Sequence, residues 1–430
     1  MSSSPVLSFY RAASSALGAF AGLYLNNRAA RGKEDPARLG ERFGRYAQPR
    51  PAGLVIWLHA ASVGESGVAL SLIEALAARD PSLWFVLTTG TRTSADLVAR
   101  RALMRTTHIY APLDRIDCVR RFLDHWRPDA GVFVESELWP NLILEAERRS
   151  VQLALVNARM SPRSLRRWTK WRAAGRRLVG AFSYVSAADA RTKDALAELR
   201  PAPLGAPGNL KLAAPAPRVD TAARASLEAE IGVRPIWLAA STHQGEDEIV
   251  LAAHESLRRD FPNALVIIAP RHPERGENIS RLAGNAPLRS RGAGPGNAAV
   301  YIADTLGELG TLYDLAPVSL VAGSLLPQLK GHNPIEPAKL GSAIISGPHI
   351  ESFQEMFDAM FAAGAATRVQ GAESLAAEVT HLWRDEAARA SQVEAARIIT
   401  AEGSDALART LDAVLALLPA SQQSPANASA

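Results

Sequence analysis

Short apolar runs with strand composition alternate with amphipathic helical patterns along most of the chain, and this alternation restricts the fold more than any other feature. The runs occupy residues 54–58, 84–88, 130–134, 151–156 and 183–186 in the first half, and 236–240, 264–269, 318–322 and 343–346 in the second. Strands that alternate with helices form parallel sheets that are covered on both faces. We therefore predict an α/β protein with two Rossmann-like domains that face each other across a cleft.

The length of the chain and the distribution of proline indicate where the two domains are divided. A chain of 430 residues is long enough for two domains of roughly 200 residues each. Residues 200–218 contain five prolines and two glycines, which is typical of a hinge. We predict an N-terminal apolar anchor or interfacial segment at residues 1–30, a first domain at 31–205, a linker at 206–222, a second domain at 223–415 and a disordered tail at 416–430.

Several functional classes are disfavoured by what the sequence lacks. Cys118 is the only cysteine, so a disulfide framework and a thiolate metal cluster are both excluded. No strand candidate is followed by a Gly-x-Gly-x-x-Gly motif, and there is no Walker lysine motif, which argues against a dinucleotide oxidoreductase and a P-loop NTPase. The leading arrangement among those that remain is that of the glycosyltransferases built from two Rossmann-like domains, the GT-B architecture.

The most informative stretch of the first half is residues 59–65, His-Ala-Ala-Ser-Val-Gly-Glu, which follows the first apolar run. It predicts a turn beyond the carboxyl end of a strand, with Ser62, Gly64 and Glu65 at the start of the next helix. The Glu65 carboxylate then has two interpretations. It either stabilises the helix dipole or acts as a catalytic base.

Two further motifs of the first half place charged groups near the predicted cleft. Glu135 and Glu137 follow the run at 130–134. An extended chain would place both carboxylates on one side and a turn would separate them, so the sequence leaves open which one faces the cleft. Lys211 ends the motif Gly208-Asn-Leu-Lys at the hinge, where it is either a fixed cation in the cleft or an ordinary surface lysine.

The second half places polar groups at strand ends in the same way. Ser241 and Thr242 could bind phosphate oxygens at a helix start, and Arg271, directly after Pro270, could pair with a phosphate in bidentate fashion. Gly323 would let the backbone approach a ligand closely. A second group of candidates lies where two helices are predicted to begin, with Glu336 suited to accept hydrogen bonds from ribose hydroxyls: Gly307, Glu308, Leu309, Asn333, Pro334, Ile335 and Glu336.

A basic run and the N-terminal segment indicate a membrane partner. Residues 159–177, which include Arg166, Arg167 and Lys170, carry eight cations and no acidic residue. Such a run attracts nucleic acid, anionic lipid or a phosphorylated substrate, or it is simply the solvated face of a helix. Residues 1–30 form either an anchor or interfacial helix or an amphipathic helix packed on the protein. We predict that both segments lie on one side of the first domain, against the membrane.

Taken together, the motifs resemble the 3-deoxy-D-manno-octulosonic acid (Kdo) transferases. The resemblance runs from about Asp35 to Thr410 and rests on His59-Ala-Ala-Ser-Val-Gly-Glu65, Glu135-Ser-Glu-Leu-Trp-Pro-Asn141, Asn157-Ala-Arg-Met-Ser161, Gly208-Asn-Leu-Lys211, Ser241-Thr-His-Gln-Gly-Glu246, Pro270-Arg-His-Pro-Glu-Arg275, Gly331-His-Asn-Pro-Ile-Glu336 and Ser346-Gly-Pro-His349. Members of that family move Kdo from CMP-Kdo onto lipid A precursor.

The resemblance implies a role for each candidate residue. Glu65 would be the general base of an inverting transfer, and Glu135 and Lys211 would stabilise the transition state. The donor CMP-Kdo would be held, without a cofactor or metal, by Pro270, Arg271, Gly307, Glu308, Leu309, Asn333, Pro334, Ile335 and Glu336. The acceptor would be lipid IVA at the cytoplasmic leaflet of the inner membrane, so the basic run would meet lipid phosphates and not nucleic acid.

Two alternatives from other functional classes stay open at this point. A nucleotide-sugar epimerase can share the two-domain architecture, but it would act on UDP-sugars and would not need a basic membrane-facing patch. A non-catalytic lipid-binding protein would account for the basic run but would leave Glu65 without a role.

Overall fold

The computed structural model describes residues 4–135, 138–200, 202–213 and 216–419, apart from the side chains of residues 17, 19, 162, 163 and 165. The chain divides into two compact units. The first comprises Met1–Lys211 together with Gly403–Ala430, and the second comprises Leu212–Glu402. Each unit is an α/β structure with its own core.

The described residues of the first unit form a six-stranded parallel sheet. Its order is β3-β2-β1-β4-β5-β6, with Ile56 of β1 opposite Phe85 of β2 on one side and Ala130 of β4 on the other. The strands are β1 Val55–Ala60, β2 Trp84–Thr89, β3 Thr106–Tyr110, β4 Ala130–Val134, β5 Gln152–Ala158 and β6 Tyr184–Ala187. The order of the strands reverses between β1 and β4, and ligands bind beyond the carboxyl ends of the strands at such a switch point.

Helices cover both faces of this sheet, which is why its inner strands are buried and mostly apolar. Trp57 of β1 packs edge-on against Phe122 and Phe133, with ring centroids 4.9 and 5.0 Å away. The helices are α1 Pro5–Leu17, α2 Ala21–Ala30, α3 Leu39–Arg42, α4 Val63–Arg79, α5 Arg92–Arg101, α6 Ile116–Trp126, α7 Pro140–Arg148, α8 Pro162–Lys170, α9 Arg172–Val179 and α10 Ala190–Ala197.

The described residues of the second unit form a sheet with the same connectivity. Its order is β12-β11-β10-β7-β8-β9, again parallel throughout, so its switch point lies between β7 and β10. The strands are β7 Ile236–Thr242, β8 Leu265–Pro270, β9 Val300–Ile302, β10 Val318–Val321, β11 Ala343–Ser346 and β12 Thr367–Arg368. The helices are α11 Thr221–Ile231, α12 Glu246–Leu257, α13 Gly276–Leu282, α14 Leu309–Leu315, α15 Ile335–Lys339, α16 Gln354–Ala362, α17 Ala372–Arg384 and α18 Glu386–Leu415, which continues into the first unit from Gly403 onward.

The structure confirms two Rossmann-like α/β domains, and all nine predicted strands are present. It adds β3, β9 and β12, which the sequence did not predict. The predicted second domain extended to residue 415, whereas in the structure the chain from Gly403 onward belongs to the first unit. There Ala406 lies so close to Gly208 that a Cβ atom on that glycine would be 2.4 Å from the Ala406 Cβ. The predicted tail from residue 420 onward lies outside the described residues.

The N-terminal helix is held on the first unit through one side. Leu7 is buried in the core, the Tyr10 hydroxyl donates to Asp114 Oδ2 at 2.8 Å, and Arg11 pairs with Glu145 at 3.0 Å. Large apolar side chains are exposed on α1, on the 3₁₀ turn that follows it and on α2, namely Phe9, Phe20, Leu23 and Tyr24. Within the described residues, no helix combines the length and the apolar character needed to cross a membrane.

Candidate active site

Glu65 occupies the first turn of α4, directly beyond the carboxyl end of β1. Ser62 is the N-cap residue, and its hydroxyl accepts a hydrogen bond from the Glu65 N–H at 3.3 Å. In return, Glu65 Oε2 accepts hydrogen bonds from the N–H groups of Ala61 at 2.6 Å and Ser62 at 3.4 Å. This is a capping box, in which a serine and a glutamate satisfy the free backbone donors of a helix start. Glu65 therefore stabilises the start of α4, as the first of the two interpretations of the sequence expected, and does so as part of a capping box.

The capping role occupies only one oxygen of that carboxylate. Among the described residues, no hydrogen bond is made to Glu65 Oε1. Burial raises the pKa of Glu65 above its usual range, and the negative charge of Glu135 raises it further, against the lowering effect of the Ala61 and Ser62 donors. A carboxylate with a raised pKa and a free oxygen is suited to accept a proton near neutral pH.

Glu135 follows β4 at the neighbouring position of the switch point and has an unusual backbone. Its φ is +62°, in the left-handed region that non-glycine residues seldom adopt and that is frequent at functional sites. The Glu135 N–H bonds to the Val156 carbonyl at 2.9 Å, so the turn begins while the chain is still paired with β5. Glu135 Oε1 lies 2.9 Å from Lys211 Nζ, and both side chains are largely buried. Glu137 lies outside the described residues.

Lys211 is placed by a short 3₁₀ helix, Leu210–Ala213, at the end of β5. The Asn157 side-chain oxygen accepts a hydrogen bond from the Leu210 N–H at 2.9 Å. The Asn209 side-chain oxygen accepts one from the Lys211 N–H at 3.0 Å. The Lys211 Nζ lies 3.9 Å from the position that a Cβ atom on Gly64 would occupy. The structure thus brings Lys211 and Glu135 close to the start of α4, which carries Glu65. A catalytic site formed by Glu65, Glu135 and Lys211 requires this proximity.

In the second unit, the loops at the switch point are held by Glu246, for which the sequence indicated no role. Its side chain is fully buried at the first position of α12. Oε2 accepts from the His243 N–H at 2.9 Å and the Gly323 N–H at 2.8 Å, and Oε1 accepts from Ser324 at 2.9 Å and Leu325 at 3.0 Å. One carboxylate therefore fixes the loops that follow β7 and β10. The one sequence feature that could have indicated this role was the position of an acidic residue at a predicted helix start.

Pro270 ends β8, and Arg271 follows it with an exposed side chain. The Arg271 N–H bonds to the Thr242 carbonyl at 3.0 Å, which ties the ends of β8 and β7 together. Arg275 donates to the same carbonyl at 2.9 Å and forms an ion pair with the buried Asp247. The guanidinium of Arg275 is therefore bound to Thr242 and Asp247, whereas that of Arg271 is exposed beyond the strand ends.

The predicted residues 333–336 form the start of α15. The Asn333 side-chain oxygen accepts from the Ile335 N–H at 3.0 Å, and Asn333 Nδ2 lies 3.4 Å from Glu336 Oε1. Pro334 is the N-cap residue. Burial raises the pKa of Glu336, against the lowering effects of Asn333 and of the Arg271 charge. The charge of Arg271 therefore acts on the Glu336 carboxylate, and both residues lie beyond strand ends of the second sheet.

The other predicted turn, at residues 307–309, has a different character. Gly307 has a φ of +83°, Glu308 is the N-cap residue of α14, and α14 packs against α15. The Glu308 carboxylate accepts two hydrogen bonds from Arg289, at 2.6 and 2.5 Å, and this pairing lowers its pKa. The Glu308 carboxylate is therefore already paired with Arg289. A ligand at this turn could bind only to its backbone groups.

Most of the basic run lies on α8 and α9, and several of its described cations are exposed. Arg166, Arg167 and Lys170 are all exposed on α8, and Trp171 next to them is 41% exposed. Helices α1 and α9 both contact α7, so the N-terminal helix and part of the basic run lie on the same face of the first unit.

Two Rossmann-like units in one chain are the components of the GT-B architecture of glycosyltransferases, which nucleotide-sugar epimerases can share. The first half, residues 37–214, matches the family model described as 3-deoxy-D-manno-octulosonic-acid transferase. A probable mitochondrial 3-deoxy-D-manno-octulosonic acid transferase of Arabidopsis thaliana is 35% identical over 83% of this chain and 82% of its own length. The 3-deoxy-D-manno-octulosonic acid transferase of Haemophilus influenzae is 33% identical over 87% and 90%, respectively.

The chain therefore belongs to the Kdo transferase family and is a glycosyltransferase. Among solved structures, the C-terminal CMP-Kdo binding domain of WaaA from Acinetobacter baumannii aligns with 41% of this chain and 96% of its own length. The sequence identity is 28% and the TM-score is 0.40.

Proposed function

We propose that the protein transfers Kdo from CMP-Kdo to lipid IVA, with Glu65 as the general base and without a metal or cofactor. The observation that carries this proposal is the Glu65 carboxylate, which has one oxygen in the capping box, the other free of hydrogen bonds within the described residues, and a raised pKa. In an inverting transfer, the acceptor oxygen bonds to the anomeric carbon of Kdo as the bond from that carbon to the phosphate oxygen breaks. CMP leaves, and the acceptor proton passes to Glu65.

The ion pair of Glu135 and Lys211 would serve the same step. The negative charge of Glu135 disfavours ionisation of Glu65, and the Lys211 cation next to Glu135 offsets that repulsion. Both groups are held by the backbone at strand ends, so they need little rearrangement as charge develops in the transition state. We therefore propose that the pair stabilises the transition state.

We propose that the second unit binds the donor. Arg271 would pair with the phosphate, and Glu336, whose one hydrogen-bond donor in the described residues is Asn333 at 3.4 Å, would accept from ribose hydroxyls. A single phosphate can be neutralised by an arginine and backbone donors, which is why no metal is invoked. Pro270, Pro334 and Ile335 would shape the site beside these two residues. Gly307, Glu308 and Leu309 would contribute through their backbone.

The site of action would be the cytoplasmic leaflet of the inner membrane. The exposed apolar side chains of α1 and α2 and the exposed cations of α8 are two weak membrane signals, and two such signals together give stable attachment. Removing residues 1–30 would be a poor test, because Leu7 and Tyr10 are part of the folded unit. Substitution of only the exposed residues avoids this problem.

The membrane proposal is tested by changing Phe9, Phe20, Leu23 and Tyr24 to serine and reversing the charges of Arg166, Arg167 and Lys170. Either set should lower co-sedimentation with anionic vesicles, and the wild-type binding should weaken with salt. The same changes at exposed residues of the second unit, Ile398 to serine and a charge reversal of Arg384, provide matched controls. If the combined variant sediments like wild type, the attachment surface lies elsewhere.

The overall function is tested with the purified full chain, CMP-Kdo and lipid IVA, with mass analysis of the product. We expect a mass increase of one or more Kdo residues that is unchanged by a chelator. CMP, but not UDP, should raise the melting temperature. Stabilisation by UDP alone would favour an epimerase, the alternative that family membership already disfavours. If CMP binds but no product forms, lipid IVA is not the acceptor.

A further inference from the structure

A pair of histidines at the switch point of the second unit has no role in the mechanism described so far. His243 Nε2 and His332 Nε2 are 2.9 Å apart. The two rings lie within 10° of a common plane, and their centroids are 5.1 Å apart. That separation is close to the Nε2–Nε2 distance plus the two ring radii, so the rings meet head-on through these nitrogens instead of stacking face to face. The contact is therefore an in-line imidazole–imidazole hydrogen bond.

The pair is held by the same loops that carry the proposed donor residues. The His243 N–H is fixed by Glu246, and the Gly331 N–H before His332 bonds to the Gly323 carbonyl at 2.7 Å. The His332 ring lies directly over Gly323, where a Cβ atom would come within 2.5 Å of its Cδ2. Gly323 also has a φ of +70°, so both the space and the backbone require glycine there.

The chemistry of such a pair depends on one proton. A neutral pair has one proton between the Nε2 atoms and only one Nδ1–H, because the ring that donates through Nε2 has a bare Nδ1. Adding a proton gives a cation in which both Nδ1 atoms are donors. Within the described residues, neither His243 Nδ1 nor His332 Nδ1 makes a hydrogen bond. Those two atoms are thus available to a ligand.

The surroundings keep the pair uncharged in the free protein. Burial lowers the pKa of His332 to about 4, with added effects of His243, Arg271 and His272. Burial also lowers the pKa of His243, where Glu246 acts in the opposite direction and His272, Arg275 and Arg271 add to the lowering. The charges that face the pair are therefore mainly cationic, and an anion placed among them would reverse the balance.

We propose that His243 and His332 form a proton-accepting part of the donor site: an anionic group of the nucleotide donor, bound beside Arg271, charges the pair and accepts a hydrogen bond from one of its Nδ1 atoms. The inference rests on the proposed donor site in the second unit and extends it. An opposite charge within about 4–6 Å raises a histidine pKa by roughly 1–3 units. The pKa of the pair should then rise from about 4 to about 5–7, so that binding of the anion takes up part of a proton at pH 6 and less at pH 7.

The test is calorimetry of CMP binding to the full chain in buffers with different ionisation enthalpies, which gives the number of protons taken up. The probes are CMP and, as the uncharged control, cytidine. The proteins are wild type, His332→Gln and His243→Gln. Protonation of the CMP phosphate contributes equally in all three proteins, so the difference between them belongs to the pair. At pH 6 we expect wild type to take up roughly half a proton more than either variant, and less at pH 7.

The outcomes separate this inference from the donor site itself. Equal proton uptake in wild type and both variants, with CMP still bound, would leave the pair as a structural link between loops and overturn the inference. Failure of wild type to bind CMP would overturn the donor site and this inference with it. Nuclear magnetic resonance of the imidazole nitrogens in wild type needs no variant: CMP should shift the His332 signals toward the charged form, whereas cytidine should not, and unchanged signals with bound CMP would also refute the pair's role.

Discussion

Replacement of Glu65 by glutamine separates the capping role of this residue from its proposed role as a base. Glutamine keeps one side-chain oxygen for the Ala61 and Ser62 N–H groups, and it is accepted in a capping box. Loss of the charge at the helix start costs about 0.3–1 kcal/mol. Because burial disfavours the ionised carboxylate, removing its charge offsets part of that cost. The free energy of unfolding should therefore change by less than about 1 kcal/mol.

The rate should respond very differently. Glutamine cannot accept the acceptor proton, and general base catalysis contributes roughly 10²–10⁴-fold. A loss of that size corresponds to a rise of about 3–5 kcal/mol in the activation barrier. The assay is product formation from CMP-Kdo and lipid IVA, with urea denaturation of the same preparations. Glu65→Ala should lower both the rate and the free energy of unfolding, because it removes the base and leaves the Ala61 and Ser62 N–H donors without an acceptor.

A control and a pH profile sharpen this test. Glu74 lies on the same helix, half-buried and paired with Arg101 at 3.2 Å, so Glu74→Gln should leave the rate unchanged. The base must be ionised to act, so wild-type kcat/KM should rise with pH through the Glu65 pKa, which lies above the usual range of a glutamate. If Glu65→Gln retains more than about a tenth of the wild-type rate, a base other than Glu65 accepts the proton.

Four further substitutions test the second unit. Arg271→Ala and Glu336→Ala should each weaken CMP binding in calorimetry, the former by about 1.5–3 kcal/mol for a charged hydrogen bond; unchanged affinity in both would exclude them from the donor site. Glu246→Gln leaves two of four backbone donors without an acceptor, so urea denaturation should show a loss of about 3–6 kcal/mol, with the exposed Glu248→Gln as its control. Burial lowers the pKa of His254 to about 4, so the unfolded chain binds more protons than the folded one below pH 6.5. Stability should fall as the pH drops from 6.5 to 4, by about 3 kcal/mol for this residue, and His254→Gln should reduce that slope.

The strands that the sequence failed to predict share one physical feature: they are all edge strands. β3 closes one side of the first sheet, and β9 and β12 are the two edges of the second. An edge strand is buried less, so its side chains need not be apolar. In β3, Thr106, Thr107 and His108 are only half-buried, and the His108 ring nitrogens contact Arg38 and Thr89. The apolar run that identifies an inner strand is therefore missing.

The strand-end positions of the site were predictable, but the pairing of its side chains was not. Alternation of strands and helices places Glu65, Glu135 and Arg271 beyond strand ends, because parallel strands share one ligand-binding edge. The ion pair of Glu135 with Lys211 depends on a left-handed turn and on a linker segment held by Asn157. The commitment of Glu308 to Arg289 similarly requires a contact between loops. Contacts of this kind depend on tertiary structure and leave no local pattern in the sequence.

Glu65 and Glu246 show how the same sequence pattern can serve two purposes. Each follows the first strand of its sheet and lies in the first turn of the next helix, at the same point of the same strand order. Glu246 uses both oxygens on four backbone donors and is fully enclosed, so it has no lone pair to offer a substrate. Glu65 uses one oxygen on two donors and keeps the other. The same change to glutamine should therefore mainly reduce stability at position 246 and mainly reduce the rate at position 65.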